Sequence, residues 1–276
     1  MTFRYQRSYR GKLKAAIVDW AGTIVDFGSL APAAVFVEVF KRQGVALTID
    51  EARGPMGMHK RTHIQMLTEL ESVRARWQAK HKRAPNDADV DAMYKEFIPL
   101  QLQCLSDFSD LIPGTKEVAA ALRKRGMKIG STTGYNAEMV AINQRDAKNQ
   151  GFEPDCTISA SDVPVGRPSP FMAQLAMVKL GIWPVEACVK IDDTRPGIDE
   201  GLNAGMWTIG VAVSGNEAGL SLADWKKLPK AEQQRLREGA CTRMYQAGAH
   251  YVVDSIADIL PCLDDVEARL ARGERP

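Results

Sequence analysis

The sequence lacks paired cysteines. Cys104, Cys156, Cys188, Cys241 and Cys262 are scattered and odd in number, with no C-x-x-C pair and no histidine at ligand spacing. A disulfide framework and a zinc finger are thereby excluded, and reduced, mostly buried thiols in a cytoplasmic protein are expected. Long apolar runs are missing as well: none approaches the roughly 20 residues of a membrane span. Residues 1–14 are basic and aromatic without the apolar segment of a secretory signal, and they read as a partly mobile extension. Nor does one sign of charge prevail, because 36 basic residues face 34 acidic ones. No whole-protein field recruits nucleic acid or a membrane surface, although a local site for a small anion needs none. Internal repeats and low-complexity segments are also absent.

What is present begins at Ala15-Ala16-Ile17-Val18-Asp19, an apolar run ending in an acid, with Gly22 in the turn that follows. It reads as a buried strand delivering a carboxylate to its C-terminal end, where open α/β sheets hold ligands. A strand-terminal Asp is also a common turn former or helix cap. From Ala31 to about Ser106 the pattern is helix after helix. Pro32 stands near the first helical position, Thr48 to Glu51 matches a capping box, and the basic stretch Arg74 to Arg83 suits a solvated helix face. Lys60 and His63 fall on one face of the third helix. From Pro113 the rhythm becomes alternating helix and strand, with strands over 127–131, 156–159, 189–192, 207–213 and 251–253. A long helical stretch over 221–246 precedes the last of them. The expected fold is α/β, a doubly wound, mostly parallel sheet with an inserted helical domain. The corresponding division is core 1–27, helical cap 28–106 and core 107–276.

Four strand-to-helix junctions carry polar groups: Asp19, the run Ser131-Thr132-Thr133-Gly134-Tyr135, Gly166-Arg167-Pro168, and Asp192-Asp193. Separated carboxylates, hydroxyls, a glycine backbone and one cation suit Mg²⁺ with a phosphoryl group, because the hard metal takes carboxylate oxygen while Arg and N–H groups hold phosphoryl oxygens. An Asp can then attack phosphorus.

In this order the motifs resemble the haloacid dehalogenase superfamily, and within it the phosphonoacetaldehyde hydrolases (phosphonatases). Asp19-Trp20-Ala21-Gly22-Thr23, Pro55-Met56-Gly57 with Lys60 and His63, Gly130 to Tyr135, Asp162-Val163-Pro164 with Gly166-Arg167-Pro168, and Asn203 to Trp207 carry the likeness. It implies a Mg²⁺-dependent enzyme that cleaves the C–P bond of phosphonoacetaldehyde, a small phosphonate, and works as a homodimer. Asp19 would be nucleophile and metal ligand, joined at the metal by Asp193 and the Ala21 carbonyl. Arg167 would stabilise charge, Thr133 and Gly134 would hold the phosphoryl group, and Ser29, Met56 and Tyr135 would line the aldehyde side. Lys60 would form a Schiff base, its pKa lowered by burial and by cations such as Arg61 or a protonated histidine, while His63 would move protons.

Two departures from the wider superfamily bear on chemistry. Ala21 stands where most phosphatases of the group carry a second Asp to protonate an oxygen leaving group, which argues against the alternative of a phosphatase acting on another phosphorylated metabolite. A catalytically silent ligand-binding member is a third reading, disfavoured by the retained Asp19, Lys60 and Arg167. Gly197 replaces the acid usually found four residues after Asp193. Weaker Mg²⁺ binding follows, with Asp192 or Asp199 in compensation, and Gly197→Asp is expected to tighten it if the backbone tolerates a side chain.

Overall fold

A computed structural model describes residues 8–276 of the chain. Six strands form one all-parallel sheet in the order β3-β2-β1-β4-β5-β6. They are β1 (Ala15–Val18), β2 (Lys128–Thr133), β3 (Cys156–Ser159), β4 (Cys188–Asp192), β5 (Trp207–Val211) and β6 (Tyr251–Val253). Every residue of β1 is buried, as expected of a central parallel strand with helices on both faces. Register aligns the chemistry. Val18 pairs with Ser131 on one side and Ile191 on the other, so that one residue on, Asp19, Thr132 and Asp192 stand level at the carboxyl edge.

Helices α6 (Thr115–Lys124) and α12 (Leu260–Ala271) cover one face, through Val118, Leu122, Leu263 and Val266. On the other, α8 (Phe171–Leu180) packs Met172, Ala173 and Ala176 beneath Ala15 and Ile17, while α9 (Arg195–Ala204) and α11 (Lys230–Gln246) meet through Ile198 and Met244. The expected helical stretch over 221–246 is two helices, α10 (Leu222–Lys227) and α11, because Pro229 cannot continue the first. The expectation of an extension over 1–14 falls partly on residues outside those described. Within the described part, residues 10–12 are exposed, but Leu13 is buried and the Lys14 N–H donates to Ala187 O at 2.8 Å, so the chain is packed from Leu13 on.

Between β1 and α6 lie α1 (Leu30–Arg42), α2 (Ile49–Arg53), α3 (Lys60–Glu69), α4 (Glu71–His81) and α5 (Asp87–Cys104). They share an apolar centre of Phe36, Phe40, Ile64, Leu67, Trp77 and Phe97. Burying a side chain of this size contributes about 1.5–3 kcal/mol, enough for a small layer to hold together. The capping box at Thr48 is present: its hydroxyl accepts from the Glu51 N–H while Glu51 accepts from the Thr48 N–H. The basic stretch is more than a solvated face. Arg76 pairs with Glu51, and Arg83 pairs with Asp89. The same apolar centre extends to Tyr135 and to Met139 of α7 (Ala137–Asn149), which seats the helical layer over the sheet edge.

Candidate active site

The carboxyl ends of β1, β2 and β4, the loop before α8 and the start of α3 meet at one small cavity of about 20 Å³. Asp19, Ser29, Met56, Lys60, Thr133 and Tyr135 are among its walls, together with Ala21, Gly134 and Arg167. Larger surface grooves open elsewhere, one of about 460 Å³ beside Phe27 and Trp225, but that groove carries none of the residues of the four polar junctions. Close approach of the helical layer depends on missing side chains. A Cβ on Gly134 would stand 2.6 Å from Met58 O, and Gly57, at φ 89°, packs so tightly on Thr194 that a Cβ there would overlap its hydroxyl.

Arg167 organises the acidic side. Its Nη2 donates to Asp19 Oδ1 at 2.6 Å and to Thr132 O at 3.0 Å, while Nε donates to Glu200 Oε2 at 3.0 Å. Lys190 lies within 2.8 Å of Asp192 and 3.3 Å of Glu200, and donates to Thr132 Oγ1 at 2.8 Å. Thus Lys190 and Glu200 join Thr132 in a buried polar floor, and sequence reasoning missed the two charged members. Lys190 sits in an apolar strand pattern and Glu200 in the middle of α9, where residue spacing gives no sign of a shared partner.

Asp19, Asp192 and Asp193 each offer an oxygen within 4.8 Å of the others. With Glu200, four buried carboxylates stand against two buried basic side chains, Arg167 and Lys190, and a divalent cation would offset the two acidic groups in excess. The protonation preferences agree. Burial and then neighbouring Asp192 push Asp19 up to about 6, with Arg167 opposing. Asp193 is pushed well up by burial and by Asp19 and Asp192. For Asp192, burial acts upward but Arg167 and Lys190 outweigh it and hold the group down. The donor set is all oxygen, so the residues present fit a hard divalent metal.

Gly197 has a reason that the sequence did not disclose. A Cβ there would overlap the Asp192 carboxylate, whose Oδ1 accepts from the Thr194 N–H at 3.0 Å and hydroxyl at 2.7 Å. Asp192 fills the space of the missing side chain. Asp199 pairs with Arg195 at 3.7 Å and is no part of the acidic cluster. The expectation that Gly197→Asp tightens metal binding is therefore corrected. Gly197→Ala is expected to destabilise the protein by about 1–3 kcal/mol through overpacking, and Gly197→Asp by more, with weaker Mg²⁺ binding. Denaturant unfolding of both variants measures this, and a wild-type midpoint for Gly197→Ala would contradict it.

On the other side of the cavity, Lys60 opens α3 and is buried, its Nζ 4.9 Å from the Tyr135 ring centroid and 5.6 Å from that of Phe36. Burial lowers its pKa to about 8; Asp19 opposes that and Arg167 adds to it. The neighbouring cation is thus Arg167, in place of the expected Arg61 or protonated histidine. Arg61 turns outward to Asp91 at 2.6 Å. His63 is held well below its usual pKa by burial and by Lys60, so it is neutral. It stacks on Phe36 at 3.8 Å between ring centroids, its Nε2 is 2.8 Å from Ala52 O, and it is not among the cavity walls. The Tyr135 hydroxyl is buried without a protein hydrogen-bond partner. Asp26, also missed, caps α1 by accepting from the Leu30 and Ala31 N–H groups at 2.9 and 3.0 Å.

Comparison with known proteins agrees with this geometry. The family model of haloacid dehalogenase-like hydrolases matches residues 13–205. Phosphonoacetaldehyde hydrolase of Paraburkholderia phytofirmans is 50% identical over 264 residues, covering 96% of this chain and 99% of that protein. That of Hahella chejuensis is 44% identical over 276 residues, covering 100% and 94%. The crystal structure of a phosphonoacetaldehyde hydrolase-like protein from Oleispira antarctica matches with a TM-score of 0.97 at 45% identity, covering both chains completely. A β-phosphoglucomutase from Clostridium difficile, at 16% identity, a TM-score of 0.64 and coverage of 93% and 98%, shares the fold alone. The chain belongs to the phosphonoacetaldehyde hydrolase family of haloacid dehalogenase-like hydrolases.

Proposed function

We propose that this protein hydrolyses the C–P bond of phosphonoacetaldehyde to acetaldehyde and phosphate. The observation that carries the reading is the enclosure of Lys60, an amine with a pKa lowered to about 8, in one cavity with the strand-end acid Asp19. The layer over 28–106 is the cap that brings the amine, and the segments 1–27 and 107–276 form the core that brings the acid.

The chemistry divides between them. Neutral Lys60 Nζ adds to the aldehyde carbon, and loss of water from the carbinolamine leaves an iminium. Asp19 then attacks phosphorus. The C–P bond breaks, and its electron pair moves into the iminium, so that the carbon fragment departs as an enamine instead of a carbanion. Protonation at carbon and hydrolysis release acetaldehyde and restore Lys60, while water cleaves the aspartyl-phosphate. Arg167 offsets charge at the phosphoryl oxygens, Thr133 and Gly134 hold them, and Ser29, Met56 and Tyr135 bound the aldehyde side. The buried Tyr135 hydroxyl, without a protein partner, is a donor available to the substrate. His63, three residues from Lys60 on α3 and stacked on Phe36, carries a neutral ring that would move protons during these steps. Asp19, Asp193 and the Ala21 carbonyl would hold Mg²⁺, which when bound supplies electrostatic shielding between an anionic nucleophile and an anionic substrate. Ala21 carries no carboxyl to protonate an oxygen leaving group, and this reaction needs none.

A homodimer acting in the cytoplasm completes the proposal. It is supported by family resemblance and by five free thiols suited to a reducing compartment. Among the described residues no helix is long and apolar enough to cross a membrane. Sedimentation at twice the 30.4 kDa chain mass is the expected result.

The amine fixes the pH dependence. Because the lowered pKa favours the neutral form, Lys60 is reactive above about pH 8 and protonated below it. The acid limb of kcat/KM is expected to approach a tenfold fall per pH unit, about 50-fold in all from pH 8 to pH 6. A profile flat between pH 6 and 8 would contradict the assignment. Phosphate release from phosphonoacetaldehyde tests the function itself; release from p-nitrophenyl phosphate alone would return the chain to the phosphatase reading.

A further inference from the structure

Arg53 ends α2, and its side chain reaches two segments that lie far from it, and from each other, in the sequence. Nη1 donates to Gly28 O at 2.9 Å, in the segment that leaves the sheet for α1. The same nitrogen donates to Asn216 Oδ1 at 3.1 Å, and Nη2 donates to Gly219 O at 3.0 Å, both in the loop that follows β5. Asn216 answers with its own amide, Nδ2 to Arg53 O at 3.4 Å. Every one of these acceptors is a carbonyl or amide oxygen. A guanidinium so used spans fixed points instead of neutralising a charge, and its planar fork makes it better suited than an ammonium to that task.

Each segment it ties leads to the reaction site. Ser29, whose carbonyl is 3.5 Å from Nη1, lines the cavity. Beyond Arg53 the chain runs through Met56 and Gly57 directly to Lys60. On the core side, the Asn216 backbone N–H donates to Asp193 Oδ2 at 2.8 Å, while the other Asp193 oxygen accepts from Thr23 Oγ1 at 3.3 Å. Gly215 packs against Asp193 so closely that a Cβ there would overlap it. The position of this loop therefore sets the position of the Asp193 carboxylate.

We propose that Arg53 is a positioning residue that couples seating of the helical layer, and of Lys60 with it, to the placement of Asp193 through Asn216. The inference rests on the roles given to Lys60 and Asp193 under the proposed function. Merely holding two layers together would require only stability from Arg53, whereas coupling requires that its loss be felt at the metal.

Mg²⁺ binding measured by calorimetry on the full chain, without substrate, is the decisive readout. Arg53→Ala is expected to weaken it by about tenfold, in the range found when groups that orient metal ligands are removed. Asn216→Ala should weaken it similarly, since the backbone N–H to Asp193 stays but its tether is lost. The double variant should be no weaker than either single one, because both remove the same link. Arg53→Lys keeps the charge but cannot span the three carbonyls, and should fall with Arg53→Ala. If Arg53→Ala fails to fold, Asn216→Ala and Arg53→Lys carry the test. Unchanged Mg²⁺ affinity in folded variants, or additive losses in the double variant, would overturn the coupling. Wild-type turnover of phosphonoacetaldehyde, assayed alongside, reports separately on the proposed function, so the two can fail independently.

Discussion

Lys60→Arg is expected to abolish C–P cleavage, with a loss on the order of 10⁴-fold or more, and to abolish trapping by borohydride. The substitution separates two roles that a buried cation can play. If Lys60 only attracted the phosphonate, arginine would retain the charge and much of the rate. If Lys60 condenses with the aldehyde, arginine supplies no neutral amine, because a guanidinium stays protonated throughout the accessible pH range. Lys60 is already adapted to the second role by burial, which lowers its pKa to about 8, and by rings of Tyr135 and Phe36 that give its stem an apolar seat. Borohydride added with phosphonoacetaldehyde should inactivate the wild type and leave a secondary amine on the peptide containing Lys60, as read by mass spectrometry. Rapid cleavage by Lys60→Arg, or an adduct on another lysine, would remove the Schiff base from the mechanism.

What the sequence disclosed was chemistry carried by neighbours along the chain. The Thr48 cap, the buried run before Asp19 and the Lys60/His63 spacing depend on contacts within a few residues, and each was legible. Strand alternation also revealed where the polar junctions lie. The partners of Arg167 were not legible, because they depend on β1 lying between β2 and β4, a matter of sheet order that no local pattern encodes. Lys190 illustrates this well: in the sequence it interrupts an apolar strand, and only the neighbouring Thr132, Asp192 and Glu200 make it a buried ion. Gly197 read as a missing ligand because the comparison was with a motif; in space it is the gap that admits the Asp192 carboxylate. His63 shares a helix face with Lys60 as spacing required, yet it stacks on Phe36 and is not among the cavity walls, and helical periodicity says nothing about what a side chain packs against.

Asp19→Asn is expected to eliminate phosphate release, again by on the order of 10⁴-fold or more, while making the metal-free protein more stable. Loss of activity follows from replacing a carboxylate nucleophile by an amide. The gain in stability follows from the environment. Asp19 is buried beside Asp192 and Asp193, and Arg167 is shared with Asp192 and Glu200. Burial and Asp192 outweigh Arg167 and raise its pKa to about 6. For an acid, a folded-state pKa above the unfolded value means that the folded state binds the proton more tightly. Metal-free stability therefore rises as pH falls from about 6 to about 4, and the charged form costs about 1–3 kcal/mol at neutral pH. Asparagine removes that cost while its Oδ1 can still accept from Arg167. A rise in Tm of several degrees is expected for the metal-free variant at pH 7, with little of it at pH 4. Mg²⁺ should raise the Tm of the wild type and do so much less for Asp19→Asn, since ligand binding to the native state stabilises in proportion to its affinity. A metal-free Tm below that of the wild type at pH 7 would show that the ion pair with Arg167 outweighs crowding among the carboxylates, and an undiminished response to Mg²⁺ would remove Asp19 from the metal site.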